Sequence, residues 1–352
     1  MDLKLLSFYT ARTIRWEDGK VILIDQTKLP NKLTYITCTK PKEVVEAIKR
    51  MQIRGAPAIG AAAAYTVALA AYHTKANNLP DLLKEIEEVG KMAKNARPTA
   101  ANPAWAVERT LSAAKKATSV EEAVKLVVKE AESIAEEDIE ACRKIGKYGE
   151  TLLKDGDTVL TQCNAGALAT VGYGTALGVI RAACEKGKCI KVIVPETRPA
   201  LQGARLTAYE LHNDGIDVML IADTAVGFVM RKKLVDKVVV GADRITSDGH
   251  IFNKIGTYQL AVLASEHSIP FYAAAPTSSF DLKSKAEDVV IEERSPDEIV
   301  KIKGQRVAPK GVRVYNPVFD QTPPNLISAI ITERGIIKPP YERTIKHTLT
   351  KP

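Results

Sequence analysis

Between residues 157 and 275 the sequence alternates short β-type runs with stretches of helical periodicity, and few folds accept that rhythm. The runs fall near 158–162, 190–194, 217–221, 235–240 and 270–275. Their Val and Ile residues suit a pleated, buried surface. Strands that alternate with helices at this spacing imply crossover connections, hence a parallel, doubly wound sheet with helices on both faces. In such sheets ligands bind beyond the carboxyl ends of the strands, so the residues after each run matter most. Cys163 and Asn164 follow the first run, and Glu196, Arg198 and Gln202 the second. Asp223 follows the third, while Asp243 and Arg244 follow the fourth, with Asn253 and Lys254 just beyond. Thr277 and Ser278 follow the fifth.

The first of these junctions, Thr161-Gln-Cys-Asn-Ala-Gly-Ala167, reads as a strand end, a tight loop and the start of a helix in the small-residue run 167–183. Unpaired N–H groups at a helix N-terminus favour a thiolate or a bound anion. Cys163 and Asp243 form a candidate acid–base pair, because a buried carboxyl can act as an acid near neutrality and a thiol, starting near ~8.5, can be tuned downward.

The first half has another character. Arg12–Trp16 and Val21–Ile24 flank a turn containing Asp18-Gly19, which predicts a hairpin; Thr34–Cys38 adds a third strand. A helix is expected near 42–51, with Val44, Val45 and Ile48 at helical spacing. Then comes Ile53-Arg-Gly-Ala-Pro-Ala-Ile-Gly60, where Pro57 suits the first turn of a helix running to about 75. Arg54 with the N–H groups of Gly55 and Ala56 could hold an anion there. Taken alone, the segment reads more simply as a loop that packs tightly because its residues are small. Arg97-Pro-Thr-Ala-Ala-Asn102 opens a further helix, and Ser119-Val-Glu-Glu122 reads as a capping box for a long one extending towards Lys147. Residues 1–145 are therefore expected to form a mostly helical unit with a small antiparallel sheet, and 146–352 a Rossmann-like catalytic unit. Towards the end, 289–291 reads as an edge strand, 325–334 as a last helix, and the basic tail from Lys338 as extended.

Composition closes off other classes. The net charge of +8 over 352 residues is mild, and no dense Lys/Arg tract with interleaved aromatics points to nucleic acid. The apolar run 56–71 is Ala-rich and too short for a bilayer, so it reads as a buried helix, and neither a membrane span nor a signal peptide is expected. Five cysteines in an odd count without CxxC spacing argue against zinc and against a secreted disulfide framework, which makes the cytoplasm the default. Abundant Glu and Lys hint at a thermophile, where a Cys184–Cys189 bridge would be less surprising. The His residues make no ligand spacing, and HExxH, GxSxG, Walker A and GxGxxG patterns are all missing.

Read together, Thr13-Ile-Arg-Trp16, Leu23–Pro30, Ile53–Gly60, Arg97–Ala100, Thr161–Gly166, Glu196–Gly203, Gly241–Ile245, Asn253–Thr257 and Asn316–Pro324 resemble the methylthioribose-1-phosphate isomerases over almost the full length. The family's usual Val-Asn-Leu after Arg-Pro-Thr is here followed differently, with Ala101-Asn102-Pro103, so Asn102 is retained. The resemblance implies an aldose–ketose isomerase of methionine salvage acting on 5-methylthioribose 1-phosphate. It implies a homodimer without metal or cofactor. By the same resemblance Cys163 and Asp243 are the catalytic pair, and Arg54, Gly55, Ala56, Arg97, Gln202, Asn253 and Lys254 contact phosphate and sugar. Two rivals share much of the pattern: a ribose-1,5-bisphosphate isomerase, and a non-enzymatic regulatory subunit of translation initiation factor 2B.

Overall fold

The computed structural model describes residues 6–97, 101–302 and 304–350; the Pro98–Ala100 part of the second Arg-Pro element lies outside them. The chain opens with the expected hairpin, β1 (Ile14–Glu17) and β2 (Lys20–Ile24), to which β3 (Tyr35–Cys38) adds antiparallel. Helices α1 (Pro41–Lys49), α2 (Ala56–Tyr72), α3 (Leu79–Asn95), α4 (Ala101–Ala114) and α5 (Val120–Gly149) follow. The apolar run is α2, and it is a buried helix. It has no polar face, and a helix that is apolar all round must be enclosed. Helices α1, α3, α4 and α5 surround it, and its alanines let them approach closely. Ser119 accepts from the Glu122 N–H as expected of a cap, but the Glu122 carboxylate reaches back to Thr118 rather than to Ser119, so the box is only half formed.

All the predicted parallel strands are present: β4 (Thr158–Leu160), β5 (Lys191–Pro195), β6 (Asp217–Ile221), β7 (Lys237–Val240) and, later, β10 (Phe271–Ala274). Between them lie α6 (Ala176–Glu185), α7 (Ala208–Asn213), α8 (Val226–Arg231) and α9 (Thr257–Glu266). An excursion after β7 gives β8 (Arg244–Thr246) and β9 (Ile251–Lys254). After β10 come β11 (Phe280–Asp281), the short helix α10 (Asp297–Val300) and the small hairpin of β12 (Lys301–Ile302) with β13 (Gln305–Arg306). The chain closes with β14 (Phe319–Thr322), β15 (Ala329–Thr332), β16 (Gly335–Ile337) and α11 (Tyr341–Thr350).

The main sheet has the order β16-β15-β10-β7-β4-β5-β6, parallel throughout except for β16. Its central strands are buried on both faces. Val192, Val194 and Val239 face Leu177 and Ile180 on one side, while Ile193, Val238 and Val240 face Val229, Leu260 and Ile345 on the other. The chain moves outward from β4 to β5 and β6, then returns to β7 on the opposite flank of β4. That reversal opens the crevice where such sheets bind ligands. A second sheet, β11-β8-β9-β14, stands beside it.

Three expectations for the C-terminal part are corrected. Apart from a 3₁₀ turn at Pro324–Leu326, residues 325–334 are not a helix: β15 extends the open edge of β10, and a turn at Glu333-Arg334 leads into β16. The tail is helical from Tyr341, with Tyr341 and Ile345 buried one turn apart, because the Pro339-Pro340 pair precedes the helix and does not interrupt it. Residues 289–291 pair with no strand and line a cleft instead. A fourth correction concerns Cys163. The run after it makes a single 3₁₀ turn at Ala167–Ala169, and α6 starts only at Ala176.

Candidate active site

The helix N-terminus next to Cys163 belongs to α2, from the other half of the chain. Gly55 caps it with φ at +90°, and a Cβ there would lie 2.2 Å from the Ala169 carbonyl oxygen. Only glycine lets the start of α2 sit on the loop that carries Cys163. Gly55→Ala is therefore expected to cost roughly 1–3 kcal/mol of stability. Chemical denaturation would measure that loss, and KM should rise as the α2 terminus is pushed out. A similar approach brings together the loops that carry Cys163 and Asp243, since a Cβ on Gly241 would stand 2.7 Å from that of Ala165.

Cys163 and Asp243 each lie three residues past the end of a strand, β4 and β7, and those strands are neighbours. Cys163 is 8% exposed and holds a left-handed backbone, φ 60°. Non-glycine residues avoid that region, and such strain persists only where surroundings enforce it. Here the Cys163 N–H donates to Thr197 Oγ1 at 3.1 Å, and the Thr207 hydroxyl donates to the Cys163 carbonyl. Thr197, also left-handed at φ 62°, is fixed in turn by Asp223, whose carboxylate accepts the N–H groups of Thr197 (2.7 Å) and Arg198 (2.6 Å). Asp223 thus holds the loop after β5 and does not reach the cleft. Nor do Thr277 and Ser278, which bond to Glu333 and Asn102. The Arg198 guanidinium is tied to backbone carbonyls at Pro199 and Glu298.

The other expected residues converge. Arg54, Gly55, Ala56, Arg97, Gln202 and Lys254 line one cleft with Cys163 and Asp243, about 790 Å³ with its open mouth included. Asn253 lines the recess that continues from it between β4 and β7, and its amide donates to Thr257 Oγ1 at 3.0 Å. Arg54 spreads its fork over Asn164, with Nη1 donating to Oδ1 and Nη2 to the backbone oxygen, both at 2.8 Å. Gln202 is buried, and its Oε1 accepts no hydrogen bond from the described residues.

Positive charge is crowded here against its own preference. Burial lowers the pKa of Arg97, and the neighbouring Arg294 lowers it further. Lys254 is 6% exposed, and burial pulls its ammonium down to about 8, with Cys163 and Asp243 resisting and Arg294 and Arg97 assisting. Buried cations this close to one another favour a bound anion. Because the free protein loses the Lys254 charge as pH rises through about 8, kcat/KM is expected to fall along a basic limb centred there. A pH–rate profile would test this; a profile flat to pH 9.5 would contradict it.

Arg294 was not anticipated. It lines the cleft and is braced by Glu292 at 3.2 Å and Glu298 at 3.8 Å. The only trace in sequence is a lone basic residue among acids just beyond an apolar run. That run, Val289-Val290-Ile291, joins Met51 and Ile59 to give the cleft apolar lining.

The sequence profile of the initiation factor 2 subunit family matches residues 52–339. The chain belongs to that family, in its methylthioribose-1-phosphate isomerase group. A protein of Methanocaldococcus jannaschii named putative methylthioribose-1-phosphate isomerase is 55% identical, over 95% of this chain and 98% of its own. The crystal structure of 5-methylthioribose 1-phosphate isomerase from Pyrococcus horikoshii is 46% identical and superimposes with a TM-score of 0.91, covering 97% of this chain and 96% of that one. A structure from A. fulgidus described as translation initiation factor eIF-2B, subunit delta, is 52% identical with a TM-score of 0.88, covering 97% and 100%. The small antiparallel sheet, the helices and the mostly parallel sheet are thus the architecture of the initiation factor 2 subunit family.

Proposed function

We propose that the chain converts 5-methylthioribose 1-phosphate to 5-methylthioribulose 1-phosphate, with Cys163 and Asp243 as the acid–base pair. The observation that carries the reading is one cleft lined by both cationic and apolar groups. Arg54, Arg97, Lys254 and the α2 N-terminus supply groups suited to a phosphate, and Met51, Ile59 and 289–291 supply apolar lining suited to a methylthio group. The reacting groups line the same cleft.

The substrate's anomeric carbon bears the phosphate, so its ring does not open freely. Asp243 protonates the ring oxygen, and the bond from that oxygen to C1 breaks. Cys163 takes the proton from C2, giving an enol between C1 and C2. Return of that proton to C1, as the Asp243 carboxylate takes up the enol's O–H proton and is restored, leaves a ketone at C2 with the phosphate still on C1. Arg54 and Arg97 hold the phosphate because a guanidinium fork matches its oxygens, while Gln202, Asn253 and Lys254 contact the phosphate and the sugar. Residues 1–145 would supply the α2 terminus and 146–352 the reacting pair.

Turnover of 5-methylthioribose 1-phosphate beside ribose 1,5-bisphosphate tests the reading. Preference for the methylthio sugar is expected, because Met51, Ile59 and 289–291 give the cleft apolar lining that a methylthio group can fill. Preference for the bisphosphate would keep the chemistry and change the substrate. No turnover of either by folded protein would favour a binding subunit.

We also infer that the protein pairs with a second copy. Met219 and Leu220 on the edge strand β6 are 55% and 50% exposed, and Phe228 on the nearby α8 is 62% exposed. An edge strand with apolar residues in water invites a partner. Among the described residues no helix is long and apolar enough to cross a membrane, and the five cysteines are free thiols, which suits a reducing cytoplasm.

A further inference from the structure

The Asn316–Pro324 motif contributes no residue to the chemistry above, yet its strand β14 runs antiparallel to β9 with Phe319 opposite Lys254 and Asp320 opposite Asn253. The Phe319 ring lies 5.0 Å from the Lys254 ammonium. Just beyond Lys254 the chain turns through Gly256 at φ +100°, and the Gly256 N–H donates to the Asp320 carboxylate at 2.7 Å. Phe319 also lines the cleft, so its face meets the ammonium at the edge of the space the substrate would fill.

We propose that Phe319 is a positioning residue, its ring face holding the Lys254 ammonium toward the substrate's phosphate while Asp320 fixes the turn that follows. The proposal rests on the reading of Lys254 as an anion contact. The physical need is plain. A four-carbon side chain buried among other cations is pushed towards neutrality and towards other rotamers. The negative face of an aromatic ring stabilises an ammonium without a hydrogen-bond acceptor. A carboxylate in the same place would also stabilise it, but would cancel the charge that the phosphate is to meet. The charged and titratable groups facing Lys254 are Cys163 after β4, Asp243 after β7, Arg97 after α3, Arg294 beyond 289–291 and Asp320 on β14. Phe319 is the ring among these neighbours.

The test is a double-mutant cycle on the full protein, read as KM for 5-methylthioribose 1-phosphate at pH 7. Phe319→Leu keeps the wall apolar and removes the ring. It should raise KM about tenfold and move the basic limb of kcat/KM to lower pH. In a Lys254→Met background the same substitution should change KM less than about twofold, since the ammonium it served is gone. Equal effects in both backgrounds would overturn the proposal and reduce Phe319 to packing. An unchanged KM for Lys254→Met alone would instead remove the underlying reading, and the proposal with it. Should Phe319→Leu fold poorly, fluorinated phenylalanines at 319 keep the shape and weaken the ring face stepwise. KM should then climb with each fluorine, and a flat series would overturn the proposal.

Discussion

Asp243→Asn is expected to lower kcat by roughly 10²- to 10⁴-fold while KM stays within about threefold of the original. The change is close to isosteric. The Asp243 N–H, which donates to the Phe252 carbonyl at 3.0 Å, is untouched, so the loop after β7 should keep its course. What is lost is a group that can give up a proton as the ring bond breaks. Cys163→Ser should cost as much under the proposed shuttle, because a hydroxyl is a far weaker acid than a thiol and the serine conjugate base does not form near neutrality. Turnover in deuterium oxide distinguishes the two ways of moving the hydrogen. Passage through a thiol exchanges with solvent and leaves deuterium at C1 of the product. Its complete absence would assign the transfer to a direct hydride shift, with Cys163 and Asp243 assisting only the development of charge. Near-normal turnover by both variants would reject the pair.

Arg181→Met should lower stability by about 3–5 kcal/mol, the cost of leaving buried carboxylates without their cation. Arg181 and its partners Glu210 and Asp214 have side chains with no exposure, joined at 2.8 and 2.7 Å. Burial alone would lower the Arg181 pKa, and the two carboxylates outweigh it and hold the charge. Glu210 also accepts from the Asn164 amide at 2.9 Å and from the N–H groups of Ala167 at 2.8 Å and Leu168 at 3.0 Å. Asp214 accepts from the Phe8 N–H at 2.7 Å. A fully buried cation thus fastens both the loop that bears Cys163 and the N-terminal segment. Adding Glu210→Gln to Arg181→Met should recover part of the loss, since an amide is far cheaper to bury unpaired than a carboxylate. Denaturant unfolding of the single and double variants would measure it. A loss under about 1 kcal/mol for Arg181→Met would mean that the network is dispensable.

The legible part of this protein was the part that strand–helix alternation governs. Once β4 and β7 were placed, Cys163 and Asp243 had to stand at the carboxyl edge of one sheet, and they do. Segments with ambiguous apolar spacing are not legible in this way. Residues 325–334 carry Leu326, Ile327, Ile330 and Ile331, a spacing that a helix and a doubly buried strand both satisfy. The unpaired edge of β10 decided for the strand. The helix at Tyr341–Thr350 carries its own stripe, but a basic tail with three prolines from Lys338 onward reads as extended. The α2 terminus at Cys163 and the place of Arg294 beside Arg97 and Lys254 were out of reach for another reason. Each joins residues far apart in sequence, and no local pattern records such an encounter.

The reversal of strand order has a consequence for how this site could change. Cys163 and Asp243 stand on the loops that leave adjacent strands, β4 and β7, so both are anchored to one frame whose strands lie about 4.8 Å apart. The wall formed by 289–291 is not part of that frame, because it pairs with no strand. Frame and lining can therefore vary independently. Under the proposed function, substitutions along 289–291 should exchange one guest for another while Cys163 and Asp243 stay in place, and a shift between β4 and β7 should disable every guest at once.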